Sequence, residues 1–258
     1  MMITAPHIRP PYPIDIADNM EAIEHRLERF IWAETSHRNE GLRHVLLSFI
    51  ENVKRCAIVG GMVRDFARVG ALGFHSDVDI VIDAPNSEVE EFAKVWNARR
   101  NAFGGFSMVA HDWEFDFWPL QSTWAVREGL VDMKELGDII RTTFFDHDAI
   151  AYDLSDRRVI CADDYLARQR MNVLEINLLP NPSIEGCLYR AARRIIGWEL
   201  SAGPKLHGFI DRHLDDEVFG KLVTTERRKK ATPILQSFKD IEDLRRVLLT
   251  RKATSSAS

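Results

Sequence analysis

Residues 56–83 read CAIVGGMVRDFARVGALGFHSDVDIVID, and this stretch decides the fold that we predict. An apolar run ends at the pair Gly60-Gly61, a short mixed segment follows, and a run of β-branched residues begins at Val78. Valine and isoleucine favour strands, and glycine permits a tight turn between elements. The stretch therefore predicts a strand, a glycine turn, a short helix, a glycine-rich loop and a second strand.

Asp77 and Asp79 lie at the start of the second predicted strand, with one residue between them. Side chains alternate along a strand, so both carboxylates point to the same face. Magnesium prefers oxygen ligands and is usually held by one or two carboxylates together with substrate phosphates. Two such ions about 4 Å apart activate an attacking hydroxyl and neutralise a leaving group. This pair therefore predicts a magnesium site that handles phosphates.

A third carboxylate commonly completes such a site from a neighbouring strand. Residues 113–118 are predicted to form a strand after a hairpin turn at 111–112, and both Glu114 and Asp116 lie on one face of it. Phe115 and Phe117 flank Asp116, as expected for an acid on an otherwise buried strand. We prefer Asp116, and Glu114 remains the alternative.

The Gly60-Gly61 turn lets the backbone approach a phosphate closely, because no Cβ intervenes. Backbone N–H groups at the start of the following helix then bind the anion. Arg64 on that helix either contacts a triphosphate or braces the loop before Asp77. Asp65 either holds Arg64 or caps the loop. The plainer alternative is an ordinary strand-to-helix turn.

The composition is that of an ordinary soluble protein. The chain has 258 residues, of which 45% are hydrophobic, and its net charge is −5. Its apolar runs are too short to cross a bilayer and no signal sequence is visible, so we expect a cytoplasmic protein without a membrane partner. Three widely spaced cysteines predict neither a disulfide framework nor a zinc site.

The pattern along the chain predicts three parts. Residues 1–54 form a helical extension, residues 55–180 an α+β domain with a mixed sheet of about five strands, and residues 181–258 a helical domain with a disordered tail. Ser87 and Glu90 are predicted to form a capping box at the start of a helix. Residues 187–258 carry 15 Lys/Arg and nine Asp/Glu, which favours contact with a polyanion or simply a solvated helical surface.

Two motifs carry a resemblance to a known family. Residues 60–65 (GGMVRD) and 76–81 (SDVDIV) resemble the head domain of the class II CCA-adding enzymes and bacterial poly(A) polymerases, in the polymerase-β-like nucleotidyltransferase superfamily. Residues 115–117 (FDF), 149–153 (AIAYD) and 190–193 (RAAR) follow in the family's order, so the similarity covers about residues 55–200. The resemblance implies a nucleotidyltransferase head followed by a helical neck.

The resemblance also implies an activity: transfer of a nucleoside monophosphate from a nucleoside triphosphate such as ATP to an acceptor hydroxyl, with Mg²⁺ and release of pyrophosphate. It implies that Asp77 and Asp79 bind the metal and that Asp116 assists deprotonation of the acceptor. The residues that it implies for nucleotide binding are Gly60, Gly61, Arg64, Asp65, Arg141, Asp153, Arg190 and Arg193.

One departure from the family bears on the substrate. The family places an Arg-Arg-Asp triplet before the AIAYD strand, whereas this chain has Thr142-Thr143-Phe144, preceded by Arg141. We predict first an RNA 3′ end, tRNA-like, as acceptor, with a partner protein or an oligomer to help grip it. The alternatives are a protein or small-molecule acceptor, and a catalytically silent regulator that binds nucleotide or RNA.

Tryptophans accompany the predicted third strand. Trp113 and Trp118 bound it, and Trp124 follows. Aromatic side chains of this kind stack on nucleic-acid bases in some proteins and pack in cores in most. We expect core packing for at least two of the three, with a base-stacking platform as the alternative.

Overall fold

The computed structural model describes residues 12–53, 55–74, 76–229 and 231–251. The described residues form two compact units: one lies within Ile14–Thr143 and Asp148–Leu166, and the other comprises the described residues of 12–13, 144–147 and 167–251. The tail that the sequence predicts to be disordered lies outside the described residues. In the described part of the chain, no helix has both the length and the apolar composition needed to cross a bilayer.

The first unit is built on one mixed sheet. Its strands are β1 (Cys56–Val59), β2 (Val78–Ile82), β3 (Arg99–Arg100), β4 (Phe106–Ala110), β5 (Trp113–Pro119), β6 (Ile150–Asp153) and β7 (Arg158–Cys161). Their order across the sheet is β3-β4-β5-β2-β1-β6-β7. The β2–β5 pair is parallel, and the other neighbours are antiparallel. The α+β class is confirmed.

The sheet has seven strands rather than the predicted five or so. The short strand β3 is one that the sequence pattern did not predict, because two exposed arginines carry no alternation. Their backbone pairs with β4 after the chain turns at Asn97, whose φ is 51°. Backbone pairing with β4, rather than local strand propensity, therefore accounts for β3.

The α-helices of the first unit are α1 (Met20–Glu28), which continues as a π-helical turn (Arg29–Ala33), α2 (His37–Asn52), α3 (Gly61–Arg68), α4 (Asn86–Val95) and α5 (Trp124–Arg127). The first two begin at side-chain caps. Asn19 accepts a hydrogen bond from the N–H of Ala22, and Ser36 accepts one from Asn39. Side-chain caps of this kind satisfy N–H groups that have no partner within the helix.

The two faces of the sheet carry different groups. One face packs with α1, α2 and α3 in a core that contains Leu27, Leu46, Ile58 and Phe117. On the other face Ala57, Val59, Val81 and Ala151 pack beneath side chains of the segment 120–139. Because alternation places Asp79 beside Val81 on this second face, the acids lie on the side that is only partly covered.

The second unit has its own core. Its elements are β8 (Val173–Leu174), α7 (Ile184–Gly197), β9 (Ser201–Ala202), α8 (Pro204–His213), α9 (Asp216–Arg228) and α10 (Ile241–Thr250), and the short helix α6 (Tyr165–Arg170) precedes them. Apolar side chains of α7, α8, α9 and α10 form one buried cluster. Ser183, Asp215 and Asp240 cap α7, α9 and α10 through their side chains. Helices therefore make up most of the elements described in this unit.

Candidate active site

Three carboxylates meet on the second face of the sheet. Asp79 and Asp116 are direct partners across the parallel β2–β5 pair, and Asp77 immediately precedes β2. One carboxylate oxygen from each of the three lies within 4.8 Å of the others, and all three side chains are half-buried. Glu114 is exposed and lies opposite Val109 instead. Of the two predicted candidates, the structure thus brings Asp116 to the pair.

Electrostatics of this cluster favour a bound cation. Burial, followed by the charges of Asp77, Asp116 and Asp148, raises the pKa of Asp79 to about 8, and Arg64 opposes the shift. Like charges that share a site resist ionisation together, and a divalent cation removes that penalty. Carboxylate oxygens are also the ligands that Mg²⁺ prefers. The residues present therefore fit the predicted metal.

A hydroxyl on the neighbouring strand orients the third acid. Ser107 of β4 pairs with Asp116 across the antiparallel β4–β5 ladder, and its Oγ donates a hydrogen bond to the Asp116 carboxylate. We did not single out Ser107 from the sequence. The predicted hairpin turn at His111-Asp112 held the signal, because a turn centred there places residue 107 opposite residue 116.

The glycine turn has two different requirements. Gly60 has φ 63° and ψ −114°, which is a conformation that side chains with a Cβ rarely adopt, and it precedes the first turn of α3. Gly61 has no such angle, but a Cβ there would lie 2.9 Å from Oγ of Ser76. Since Ser76 directly precedes Asp77, the turn and the acidic loop approach each other at the backbone of Gly61.

Arg64 lies in a buried cluster of opposite charges. Its Nη2 is 2.8 Å from Oδ1 of Asp65, and its Nη1 is 2.6 Å from Oδ1 of Asp148. Burial works against the guanidinium, but Asp65 and Asp148 hold its pKa above the ordinary value. The structure thus shows Asp65 holding Arg64, which was one of the two roles predicted. Asp148 was missed, and its only signal was its place just before the AIAYD strand.

Two other predicted residues of the first unit have different surroundings. Asp153 is buried opposite Ala57, toward the other end of β1 from Gly60. It accepts hydrogen bonds from Nε of Arg55 at 3.0 Å and from the N–H groups of residues 155 and 156. These bonds stabilise the β6–β7 turn. Arg141 is exposed and pairs with Asp138 at 3.0 Å.

Arg190 and Arg193 belong to the second unit, on α7. Nη1 of Arg193 is 2.5 Å from Oε1 of Glu226, and it donates to the carbonyl of Thr232 at 2.8 Å. Arg190 is exposed, with its Nη2 at 3.6 Å from Sγ of Cys187. Arg193 therefore holds the end of α9 to the loop that follows it.

Two cavities open beside the carboxylates. One of about 600 Å³ is lined by Asp77 and Asp116 with polar side chains that include Asn97, Arg99 and Ser107. The other, of about 290 Å³, is lined by Asp79 and Asp116 with Phe103, Trp118 and Trp124. Trp113, in contrast, packs in the core against Phe30 and Phe74. The acids thus border space on two sides.

Solved structures share this arrangement of elements. A Thermotoga maritima CCA-adding enzyme complexed with tRNA_CCA matches 90% of this chain and 53% of its own, with a TM-score of 0.54 and 17% identity. The chain has the fold of the CCA-adding enzymes. A CCA-adding enzyme complexed with CTP matches 86% of this chain and 54% of its own, with a TM-score of 0.54 and 17% identity.

A tRNA nucleotidyltransferase complexed with a primer tRNA and an incoming ATP analog matches 74% of this chain and 56% of its own, with a TM-score of 0.50 and 21% identity. The chain therefore spans about half the length of these structures with the CCA-adding fold. No protein-family model and no curated protein matches it. The fold that the GGMVRD and SDVDIV motifs predict is confirmed.

Proposed function

We propose that this chain is a Mg²⁺-dependent nucleotidyltransferase that transfers a nucleoside monophosphate from a nucleoside triphosphate to the 3′ end of an RNA, tRNA-like in character. The observation that carries the proposal is the meeting of Asp77, Asp79 and Asp116, each with a carboxylate oxygen within 4.8 Å of the other two. The fold supports it, because the structures that share this fold include complexes with CTP, with an ATP analog and with tRNA.

Asp77 and Asp79 are the residues that would hold the metal. When bound, Mg²⁺ supplies positive charge for the phosphates and makes the acceptor hydroxyl more acidic. Asp116 takes the proton of that hydroxyl, and Ser107 keeps the carboxylate oriented through its hydrogen bond. The acceptor oxygen then forms a bond to the α-phosphorus while the bond between that phosphorus and the β-phosphate oxygen breaks, and pyrophosphate leaves.

The triphosphate lies along the Gly60-Gly61 turn, where the first N–H groups of α3 bind its phosphate oxygens. Arg64 positions the site rather than forming a surface clamp, because Asp65 and Asp148 surround its guanidinium. We retain Arg141, Asp153, Arg190 and Arg193 as predicted nucleotide-binding residues. The three-part division of the chain at residues 54 and 180 likewise remains a prediction.

One observation favours a second candidate, a nucleotidyltransferase with a protein or small-molecule acceptor. Where the family has its Arg-Arg-Asp triplet, Thr142 and Thr143 donate their hydroxyls to the backbone carbonyls of Ile139 and Ile140. These side chains offer neither the guanidinium groups nor the carboxylate of the triplet. That change favours a nucleotide site unlike the family's, and the second candidate extends the difference to the acceptor.

The test is incubation with each labelled nucleoside triphosphate and Mg²⁺, together with purified tRNA, total RNA or no added acceptor. Label in RNA supports the proposal, and label on protein supports the second candidate. Transfer by the double variant Asp77→Asn with Asp79→Asn should fall about a thousandfold, because several kcal/mol of transition-state stabilisation is lost. Asp83→Asn, an exposed acid just beyond β2, is the matched control and should retain full activity.

Two results would contradict the proposal. The carboxylate assignment is wrong if the folded double variant transfers label at the wild-type rate. No transfer by the wild-type chain, with RNA or without, would instead indicate a silent binding protein. Circular dichroism of each variant separates loss of activity from loss of fold.

A further inference from the structure

The smaller cavity has aromatic walls and ends at two of the three carboxylates. We call it the aromatic pocket and define it by Phe103, Trp118 and Trp124 together with Asp79 and Asp116. Its volume is about 290 Å³, at the lower limit for ligand sites in proteins, which suits one nucleoside rather than a longer ligand. A molecule seated in the pocket is therefore small and touches the acids.

Local interactions hold the aromatic walls in place. Oδ1 of Asn101 accepts hydrogen bonds from the N–H groups of Phe103 and Gly105, each at 3.0 Å, and so shapes the loop that presents Phe103. A Cβ at Gly105 would lie 2.8 Å from the Phe117 carbonyl oxygen, so glycine lets this loop lie against β5.

Two walls of the aromatic pocket are Phe103, on this loop, and Trp118, on β5. Phe103 is 77% exposed, which is unusual for a phenylalanine that forms no part of the core. The indole N–H of Trp118 donates to Oγ1 of Thr123 at 3.0 Å, which fixes the orientation of that ring. Two aromatic surfaces are thus available to a planar ligand.

The chemistry of the pocket excludes the triphosphate. No lysine or arginine is among the described residues that line it, and its walls away from the acids are largely aromatic. The Gly60-Gly61 turn follows β1, and β1 and β5 flank β2 from opposite sides. The turn proposed to hold the triphosphate and the aromatic pocket therefore lie on opposite sides of Asp79, which leaves the pocket free for the acceptor.

We propose that the aromatic pocket binds the base of the acceptor's terminal nucleotide and so places its 3′-hydroxyl at Asp116. The base and the 3′-hydroxyl of one nucleotide are joined through a single ribose, and Asp116 lines the pocket itself. Aromatic side chains stack on every base, so this contact holds the terminal nucleotide with little regard to its identity. The inference rests on the proposed function for the identity of the acceptor.

The experiment measures binding without turnover. A fluorescently labelled RNA hexamer with a normal 3′ nucleotide is compared, by anisotropy, with one whose 3′ nucleotide is abasic. We expect Phe103→Ala and Trp118→Leu each to weaken binding of the normal hexamer about tenfold, and loss of the base to weaken binding to the wild-type chain equally. The abasic hexamer should bind these variants and the wild-type chain with equal affinity. It has no base to stack on the aromatic side chains, so their removal does not weaken its binding.

Controls separate stacking from a change of fold. Val95→Ala removes an apolar side chain that is 79% exposed on α4 and should leave hexamer binding unchanged. Phe103→Trp should restore binding to the wild-type level. Thermal melts of all variants identify any that are destabilised, and Phe103→Ala remains decisive because its exposed ring contributes little to the core.

The inference and the proposed function fail separately. The inference is overturned if Phe103→Ala weakens both hexamers equally, if it weakens only triphosphate binding, or if the wild-type chain binds no hexamer at millimolar concentration. If the base and Phe103 are coupled but the wild-type chain transfers no nucleotide, the pocket assignment stands and the proposed function fails. If the chain transfers nucleotide without that coupling, the proposed function stands and the pocket assignment fails.

Discussion

Three acids of the chain show how burial, neighbouring charges and hydrogen-bond donors together set the pKa of a carboxylate. Burial and neighbouring acids raise the pKa of Asp79 to about 8. Burial also raises the pKa of Asp146 to about 6, although the N–H of Glu175 works against it. In Glu226 burial acts in the same direction, but the N–H groups of residues 234–236 outweigh it and lower the pKa. Backbone donors oppose the effect of burial at Asp146 and outweigh it at Glu226, whereas acidic neighbours add to the effect of burial at Asp79.

Asp146→Asn should stabilise the protein at neutral pH. Its folded pKa of about 6 lies above the ordinary 3.9 or so, so the free energy of unfolding of the wild type falls as the pH rises from about 4 to 6 and then stays level. The asparagine retains the Oδ1 that accepts from the N–H groups of His147 and Glu175 but has no charge. We expect a gain of about 1–3 kcal/mol at pH 8 that vanishes near pH 4.

Urea denaturation at a series of pH values measures this gain. The exposed Asp132→Asn serves as control and should show no such pH-dependent difference. An asparagine variant whose stability follows the wild-type curve at every pH would show that Asp146 ionises normally.

At the scale of elements, packing decided details that local signals got wrong. The capping box predicted at Ser87 and Glu90 does not form, because α4 begins at Asn86 after Pro85 without a side-chain cap. The Glu90 carboxylate pairs with Arg100 of β3 instead. The Glu90 carboxylate is thus engaged by Arg100, outside the helix, and does not cap the first turn of α4.

Helix α2 offers a matched pair of leucines for testing its contact with the sheet. Leu46 is fully buried, whereas its neighbour Leu47 is 39% exposed. Leu46→Ala should lower the free energy of unfolding by about 2–5 kcal/mol, because it leaves a cavity in the core shared with β1 and β2. Leu47→Ala should cost under about 1 kcal/mol.

Chemical denaturation of both variants checks the assignment of faces. Equal losses at the two positions would contradict the packing of α2 on the sheet. They would also show that the helical extension is not part of the sheet's core.

At the scale of the whole molecule, folding gathers charges that are distant in sequence. Asp116 reaches Asp77 and Asp79 only because β5 pairs with β2, and the resulting cluster carries mutual repulsion that the unfolded chain lacks. A cation that binds the folded chain relieves this repulsion, so metal binding and folding stability are linked.

Mg²⁺ should therefore raise the melting temperature of the wild-type chain. At a concentration ten times the dissociation constant, the gain is about 1.4 kcal/mol, which is a shift of a few degrees for a protein of this size. The double variant Asp77→Asn with Asp79→Asn should melt at the same temperature with and without Mg²⁺, whereas Asp83→Asn should respond as the wild type does. Differential scanning fluorimetry at constant ionic strength gives the comparison, and equal shifts in all three chains would exclude a metal site at the acids.

Much of the candidate site is a local property of the sequence. Alternation along one strand places Asp77 and Asp79 on a common face, and the glycine pair marks the turn that needs φ 63° at Gly60. These features follow from backbone geometry over a few residues, which any short stretch carries within itself. For the same reason the hairpin turn at residues 111–112 sets the pairing of β4 with β5.

Other features depend on pairings between distant segments, which no short stretch specifies. The parallel pairing of β2 with β5 selected Asp116 over Glu114, and the ion pair of Arg64 with Asp148 joins residues far apart in the chain. The aromatic pocket likewise draws on a loop, a strand and the segment after it. Burial of apolar faces sets these pairings. The register that buries the apolar side chains of the whole core has a lower free energy than any other register. The sequence determined which residues are candidates for the chemistry, and the tertiary structure decided which of them meet.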